Sequence, residues 1–157
     1  RYRCRMNLGI IAVGRLKKSP ESDLVNTYLK RCPWKVDITE VEERRPITGA
    51  ERMVREGDLI LKAIPENAVV IALDERGREM RSTDFAYKIR DWQDQGVSNL
   101  VILIGGAEGY DERVKDRADM LISFGIMTWP HMMVRAMLCE QLYRASTILA
   151  GHPYYKD

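Results

Sequence analysis

Four short apolar runs constrain this chain most: Leu8–Val13, Ala68–Leu73, Leu100–Ile104 and Met120–Phe124. A strand with one wet face alternates apolar and polar residues. A continuous run reads instead as a strand buried on both faces, as in parallel sheets sandwiched between helices. Trp34, Val36, Ile38 and Val41 suggest one further strand, alternating at first. Helical patterns fill the intervals. Ser19-Pro20-Glu21 opens a helix with Leu24, Val25, Tyr28 and Leu29 on one face, Ser19 serving as N-cap, and Pro33 stops it. Thr48-Gly49-Ala50-Glu51 reads as a capping box, hydroxyl and carboxylate each satisfying an orphan amide, before Met53, Val54, Ile60, Leu61 and Ile64. Ser82 is expected to cap a helix carrying Phe85, Ile89 and Trp92, and Asp111–Arg117 a short charged one. Asp74–Gly77 is expected to close the strand that ends at Leu73. Strands alternating with helices, without repeats or long linkers, predict one α/β domain over residues 1–157, its sheet mostly parallel and flanked by helices.

The C-terminal stretch carries the most unusual composition. After Phe124 the chain bends at Gly125, turns through Thr128, Trp129 and Pro130, and enters a helix that is apolar on nearly every side from Met132 to Leu149. Proline suits such a start because its missing N–H would have no partner there. A helix that greasy needs cover all round, from its own sheet on one face and something else on the other. Arg135, Glu140 and Arg144 lie within that surface and require partners.

Composition excludes several classes. At 157 residues, 45% hydrophobic and 31% charged, the chain reads as a soluble globular domain with a core of its own. No apolar run approaches the roughly 20 residues that span a bilayer. RYRCRMNLGIIAVG reads as a first strand rather than a signal peptide, with Met6 as the natural start and Arg1–Arg5 an upstream extension. Cys4, Cys32 and Cys139 are scattered and odd in number, which points to a reducing, cytoplasmic setting. With His131 and His152 the only histidines, no metal site is expected. A net charge of +2 is small for a protein that grips naked nucleic acid through many phosphates.

In parallel sheets ligands gather beyond the carboxyl ends of the strands. Three loops qualify here, after Leu73, after Ile104 and after Phe124. The second is glycine-rich, Gly105-Gly106-Ala107-Glu108-Gly109, but lacks dinucleotide and P-loop spacing and reads equally as a tight turn. There is no G-x-S-x-G and no Cys–His setting for a nucleophile. Asp74 and Glu75, beside Arg76 and Arg78, read as solvated acids more readily than as a catalytic pair. What remains is group transfer driven by positioning, and methyl transfer from an already activated sulfonium donor fits that description.

Specific motifs sharpen this. LIGGAEG at Leu103–Gly109 and SFGIMTWPHMMVRAMLCEQLYRASTILAGHPYYK at Ser123–Lys156, with IIAVGRLK and VIALDERG upstream, resemble the RlmH family across essentially the whole chain. These are SPOUT-class methyltransferases that modify N3 of a pseudouridine in large-subunit ribosomal RNA. The resemblance implies a SPOUT-type α/β knot, with a C-terminal trefoil knot. It also implies S-adenosylmethionine as cofactor, held by Leu73, Gly105, Phe124, Gly125, Ile126, Met127, Thr128 and Trp129. It implies a homodimer joined through the long helix, whose tail from residue 150 to 157 reaches the partner's cofactor. Arg144, His152, Tyr154, Tyr155 and Lys156 would then face the RNA. Tyr155 stands where the family has histidine and Lys156 where it has arginine. His131, Glu140 and Tyr154 are the candidate catalytic residues for removing the N3 proton; His131 reads equally as a cap, and Arg135 and Arg144 as partners of buried carboxylates. The low net charge suggests an assembled ribosome as substrate, with no membrane involved. A SPOUT enzyme for another RNA and a non-catalytic ribosome-associated RNA-binding factor are the alternatives.

Overall fold

A computed structural model describes residues 6–155 of the chain. Five strands and five helices alternate: β1 (Asn7–Val13), α1 (Pro20–Arg31), β2 (Val36–Val41), α2 (Gly49–Ala63), β3 (Ala68–Arg78), α3 (Ser82–Asp94), β4 (Asn99–Ile104), α4 (Glu112–Arg117), β5 (Met120–Ile122) and α5 (His131–Ala150). The strands form one sheet in the order β2-β1-β4-β3-β5, and every pairing between them is parallel.

The apolar runs explain this arrangement directly. Side chains alternate across a strand, and here both faces are covered. Leu8, Ile10, Leu100, Ile102, Ile104 and Ile122 pack with Phe85, Ile89, Leu138 and Leu142 of α3 and α5. Ile11, Val13, Val70, Ala72, Val101 and Leu103 pack with Ile60 of α2 and Val114 of α4. Register keeps the layers aligned, with Leu8 opposite Leu100 and Ile10 opposite Ile102. Burying a side chain of this size contributes about 1.5–3 kcal/mol, so the continuous strands are the main stabilising element.

α5 lies between α1 and α3 over the first of these layers. Its charged residues are partnered as required. Arg135, 1% exposed, pairs with Glu40 and donates to the Gly14 carbonyl at 3.2 Å. Glu140 pairs with Arg144 at 2.7 Å. Cys139 is fully buried, and burial pushes its thiol up to about 12.

Several local expectations are corrected. Ser19 caps α1 as predicted, its hydroxyl accepting from the Ser22 amide at 3.2 Å. Thr48 occupies the N-cap of α2, but its side chain makes no capping bond, because the backbone turns through φ 62° at Gly49. Ser82 is the first residue inside α3 rather than its cap. Its hydroxyl donates to Gln141 at 2.7 Å, and the Asp84 carboxylate takes the Arg81 amide at 3.3 Å. β3 does not close at Asp74. It continues to Arg78 because β5 pairs with it twice, at Ile71–Leu73 and, after a register shift, at Arg78. β5 itself ends at Ile122, and Pro130 is the N-cap of α5. Arg1–Arg5 and Lys156–Asp157 lie outside the described residues, so the proposed extension and the Lys156 contact are beyond this description.

Candidate active site

β4 delivers the chain into a tight turn in which the Gly109 amide bonds the Gly106 carbonyl at 3.1 Å. The turn is braced from inside the protein. Tyr110, 5% exposed, lies against Gly105 and donates its hydroxyl to the Leu103 carbonyl at 2.8 Å. A Cβ on Gly106 would stand 2.9 Å from Val13 and 3.1 Å from the Glu56 carboxylate, so only glycine fits there.

The other two loops meet this turn. After Leu73 the chain folds so that the Arg76 amide donates to Asp74 at 2.8 Å. Beyond β5, the Ser123 amide donates to the Arg78 carbonyl at 3.0 Å, while its hydroxyl donates to the Gly125 carbonyl at 2.8 Å. Thr128 ties the loop after Phe124 to the loop after Leu73 through a 3.2 Å bond to Glu75. Together they enclose a cleft of about 790 Å³. Leu73, Ile104, Phe124 and Val134 supply apolar walls, and the glycine turn supplies exposed backbone. Asp74, Glu75 and Glu108 face Arg76 around the rim, three carboxylates against one guanidinium. Apolar walls with a few polar groups suit a flat heterocycle, and the acidic rim suits a ligand carrying positive charge.

Of the residues expected at the cofactor, Leu73, Gly105, Phe124, Gly125, Met127, Thr128 and Trp129 all line this cleft, and so does His131. Ile126, 82% exposed, stands at the outer tip of its loop and is absent from the lining. The remaining site residues form a second cluster. Glu140 bonds Arg144 and accepts the Tyr154 hydroxyl at 2.9 Å. The Tyr154 ring packs on Tyr143 with centroids 4.6 Å apart, under the Arg144 guanidinium. His152 accepts the Tyr154 amide at 3.1 Å, and Tyr155 packs against the core. Glu140 follows His131 by nine positions along the helix, roughly 13.5 Å at 1.5 Å per residue. Within one chain, therefore, His131 stands apart from Glu140 and Tyr154.

Burial, with help from the bond to Glu140, raises the Tyr154 phenol above its ordinary range, and burial does the same for Tyr110. For a group raised in the folded state, the stability it contributes is complete below its unfolded pKa, about 10, and is lost as pH rises through the folded value. We expect ultraviolet titration to leave these two phenols neutral at pH 10.5, and stability to fall steadily above pH 10. A wild-type melting temperature unchanged between pH 9 and 11 would contradict this.

Sequence reasoning missed the residues behind the glycine turn, Glu56 and Tyr110. Glu56 stands four residues from Arg52, a spacing usual for exposed helical pairs, yet it is 3% exposed.

Residues 6–155 match the family model described as predicted SPOUT methyltransferase. The chain belongs to that family. Three relatives share its length. One from Paramagnetospirillum magneticum is 52% identical over 96% of this chain and 99% of its own. One from Rhodospirillum centenum is 48% identical over 96% and 99%, and one from Allorhizobium ampelinum 47% identical over 97% and 100%. All three are named ribosomal RNA large subunit methyltransferase H. SPOUT enzymes in general use S-adenosylmethionine, and the cleft, apolar-walled, glycine-lined and acidic at its rim, fits that cation. No helix among the described residues is long and apolar enough to cross a membrane, and none of their His, Cys, Asp and Glu side chains group in threes to hold a metal.

Proposed function

We propose that this protein methylates large-subunit ribosomal RNA at N3 of a pseudouridine, with S-adenosylmethionine as methyl donor. The observation that carries the reading is the convergence of Leu73–Arg76, Gly105–Tyr110, Phe124, Gly125 and Met127–His131 on one cleft. When bound there, the cofactor supplies an activated methyl group. Leu73, Ile104, Phe124 and Val134 would hold its adenine, and backbone of the Gly105–Gly109 turn and of Gly125–Trp129 would fix its polar parts. The trefoil knot implied by the resemblance belongs to this reading, and two features support it: β5 pairs with β3 on both sides of a register shift, and Gly77 packs against backbone of Leu121 and Ile122.

The protein acts in this reading as a homodimer. Leu24, Tyr28, Met133 and Met137 line a groove of about 580 Å³ between α1, α3 and α5, and Leu24 and Met133 are 47% and 40% exposed. A second copy would cover it and bring its own Glu140–Tyr154 cluster and tail toward this chain's cleft. His131 Nδ1 or Nε2 would then accept the N3 proton, with Tyr154 stacking on the RNA and Arg144, His152, Tyr155 and Lys156 contacting it. An enzyme of ribosomal RNA works where ribosomes are, so the reading is cytoplasmic.

Mass mapping of ribosomal RNA from a strain lacking the gene is expected to show one pseudouridine short of one methyl group. Purified protein should restore it on assembled ribosomes at least tenfold faster than on naked RNA. An unchanged RNA map would defeat the assignment, and equal rates would defeat the assembled substrate.

A further inference from the structure

The glycine turn rests on one edge of α2. Gly57 packs so closely on Asp111, the N-cap of α4, that a Cβ there would lie 2.9 Å from its side chain. Arg113 joins the same edge, pairing with Asp58 at 2.8 Å and donating to the Val54 carbonyl at 3.2 Å. Between these contacts stands Glu56, its carboxylate so close to Gly106 that a Cβ there would lie 3.1 Å from it. One of its oxygens pairs with Arg52 at 3.2 Å. The other, Oε1, is buried and has no hydrogen-bond partner.

An ionised carboxylate oxygen buried without a donor is costly, and the turn beside it is made of backbone. We propose that Glu56 is a positioning residue of the cofactor site: its free oxygen receives a backbone N–H of the Gly105–Gly109 turn when S-adenosylmethionine binds, so that binding releases a proton from Glu56. The inference rests on the cofactor reading above. The charged groups facing Glu56 are Arg52 on its own helix, Glu108 in the turn and Glu43 in the loop before α2. Burial raises its carboxyl above the ordinary range, ahead of the lowering by Arg52, and the two glutamates add to the rise. The unliganded site therefore holds the Glu56 proton more tightly than a free carboxyl would. A donated N–H and the cofactor's positive charge both favour the anion. Because Glu56 is already 3% exposed, covering the cleft adds little further burial to oppose them.

Binding should then tighten as pH rises through the titration of Glu56. Calorimetry with S-adenosylmethionine at pH 5 and pH 8, in buffers of different ionisation heat, tests this on the intact protein. We expect wild type to bind at least threefold more tightly at pH 8 and to release a fraction of a proton at pH 5. Glu56→Gln should lose both the pH dependence and the proton while keeping the wild-type melting temperature within a few degrees. Glu56→Asp, which keeps the carboxylate, should retain part of the pH dependence. Wild-type binding whose pH profile Glu56→Gln reproduces would overturn the positioning role and leave the cofactor reading intact. Absence of wild-type binding at either pH would overturn both.

Discussion

Gly77→Ala is expected to be the most damaging single-methyl change in this protein. A Cβ at this position would stand 2.7 Å from backbone atoms of Leu121 and Ile122. A flexible side chain could swing away, but these atoms belong to a strand paired to β3 on both sides of the contact. Overpacking ordinarily costs 1–3 kcal/mol, and the rigid neighbour puts this case at the upper end, about 3 kcal/mol. For a domain of this size that lowers the melting temperature by roughly 6–12 °C. The displaced segment leads into Phe124–Trp129, so affinity for S-adenosylmethionine should fall with it. Gly96→Ala is the control. Nothing lies within 4 Å of the added carbon, and only the backbone angle of 82° resists it, which costs about 1 kcal/mol. Equal melting temperatures for the two variants, read by circular dichroism, would contradict the close packing of Gly77 on β5.

The second large effect is expected at Arg135. Its side chain is 1% exposed, pairs with Glu40 and reaches the Gly14 carbonyl, tying α5 to the ends of β1 and β2. Truncating one member of a buried pair typically costs 3–5 kcal/mol. Glu40 keeps 36% of its side chain in solvent and can rehydrate, so the ionic share is discounted and packing dominates. We expect Arg135→Ala to lose about 3 kcal/mol and Arg135→Met, which refills the volume, about half of that. The pH dependence separates the two contributions. Burial alone would raise the Glu40 carboxyl, but the Leu16 amide and Arg135 together hold it below the ordinary range. Such a group contributes stability above its unfolded pKa, near 4.3, and that contribution disappears as pH falls through the folded value. The gap between wild type and Arg135→Met should therefore narrow below pH 4. Urea denaturation at pH 7 and pH 3.5 measures it, and a gap of constant size would mean that the ion pair contributes nothing.

Much of this was legible in the sequence, for identifiable reasons. The apolar runs predicted buried parallel strands because both faces of the sheet carry a packed layer, and hydrophobicity records burial directly. That the three loops meet at one cleft followed from strand direction alone. Long-range pairings left no such mark. Arg135 finds Glu40 across 95 positions, and nothing near either residue announces it. Asp74–Gly77 looked like a polar loop because its charges point outward, while its extended backbone depends on β5. Nothing in the sequence marks Glu56, since a helical i,i+4 pair is usually exposed, and only the folded turn above it reveals the burial. The helix in search of cover was half explained within the chain by α1 and α3. The separation of His131 from Glu140 and Tyr154 leaves the second copy as the proposed remainder.

S-adenosylmethionine is proposed to occupy the cleft between the three loops. A crystal structure of the protein grown with the cofactor tests it most directly. Density for the adenosyl group between Leu73, Gly105 and Phe124–Trp129, with backbone amides of those loops on its polar atoms, is the predicted result. Density instead in the groove between α1, α3 and α5, with the glycine turn bare, would contradict it.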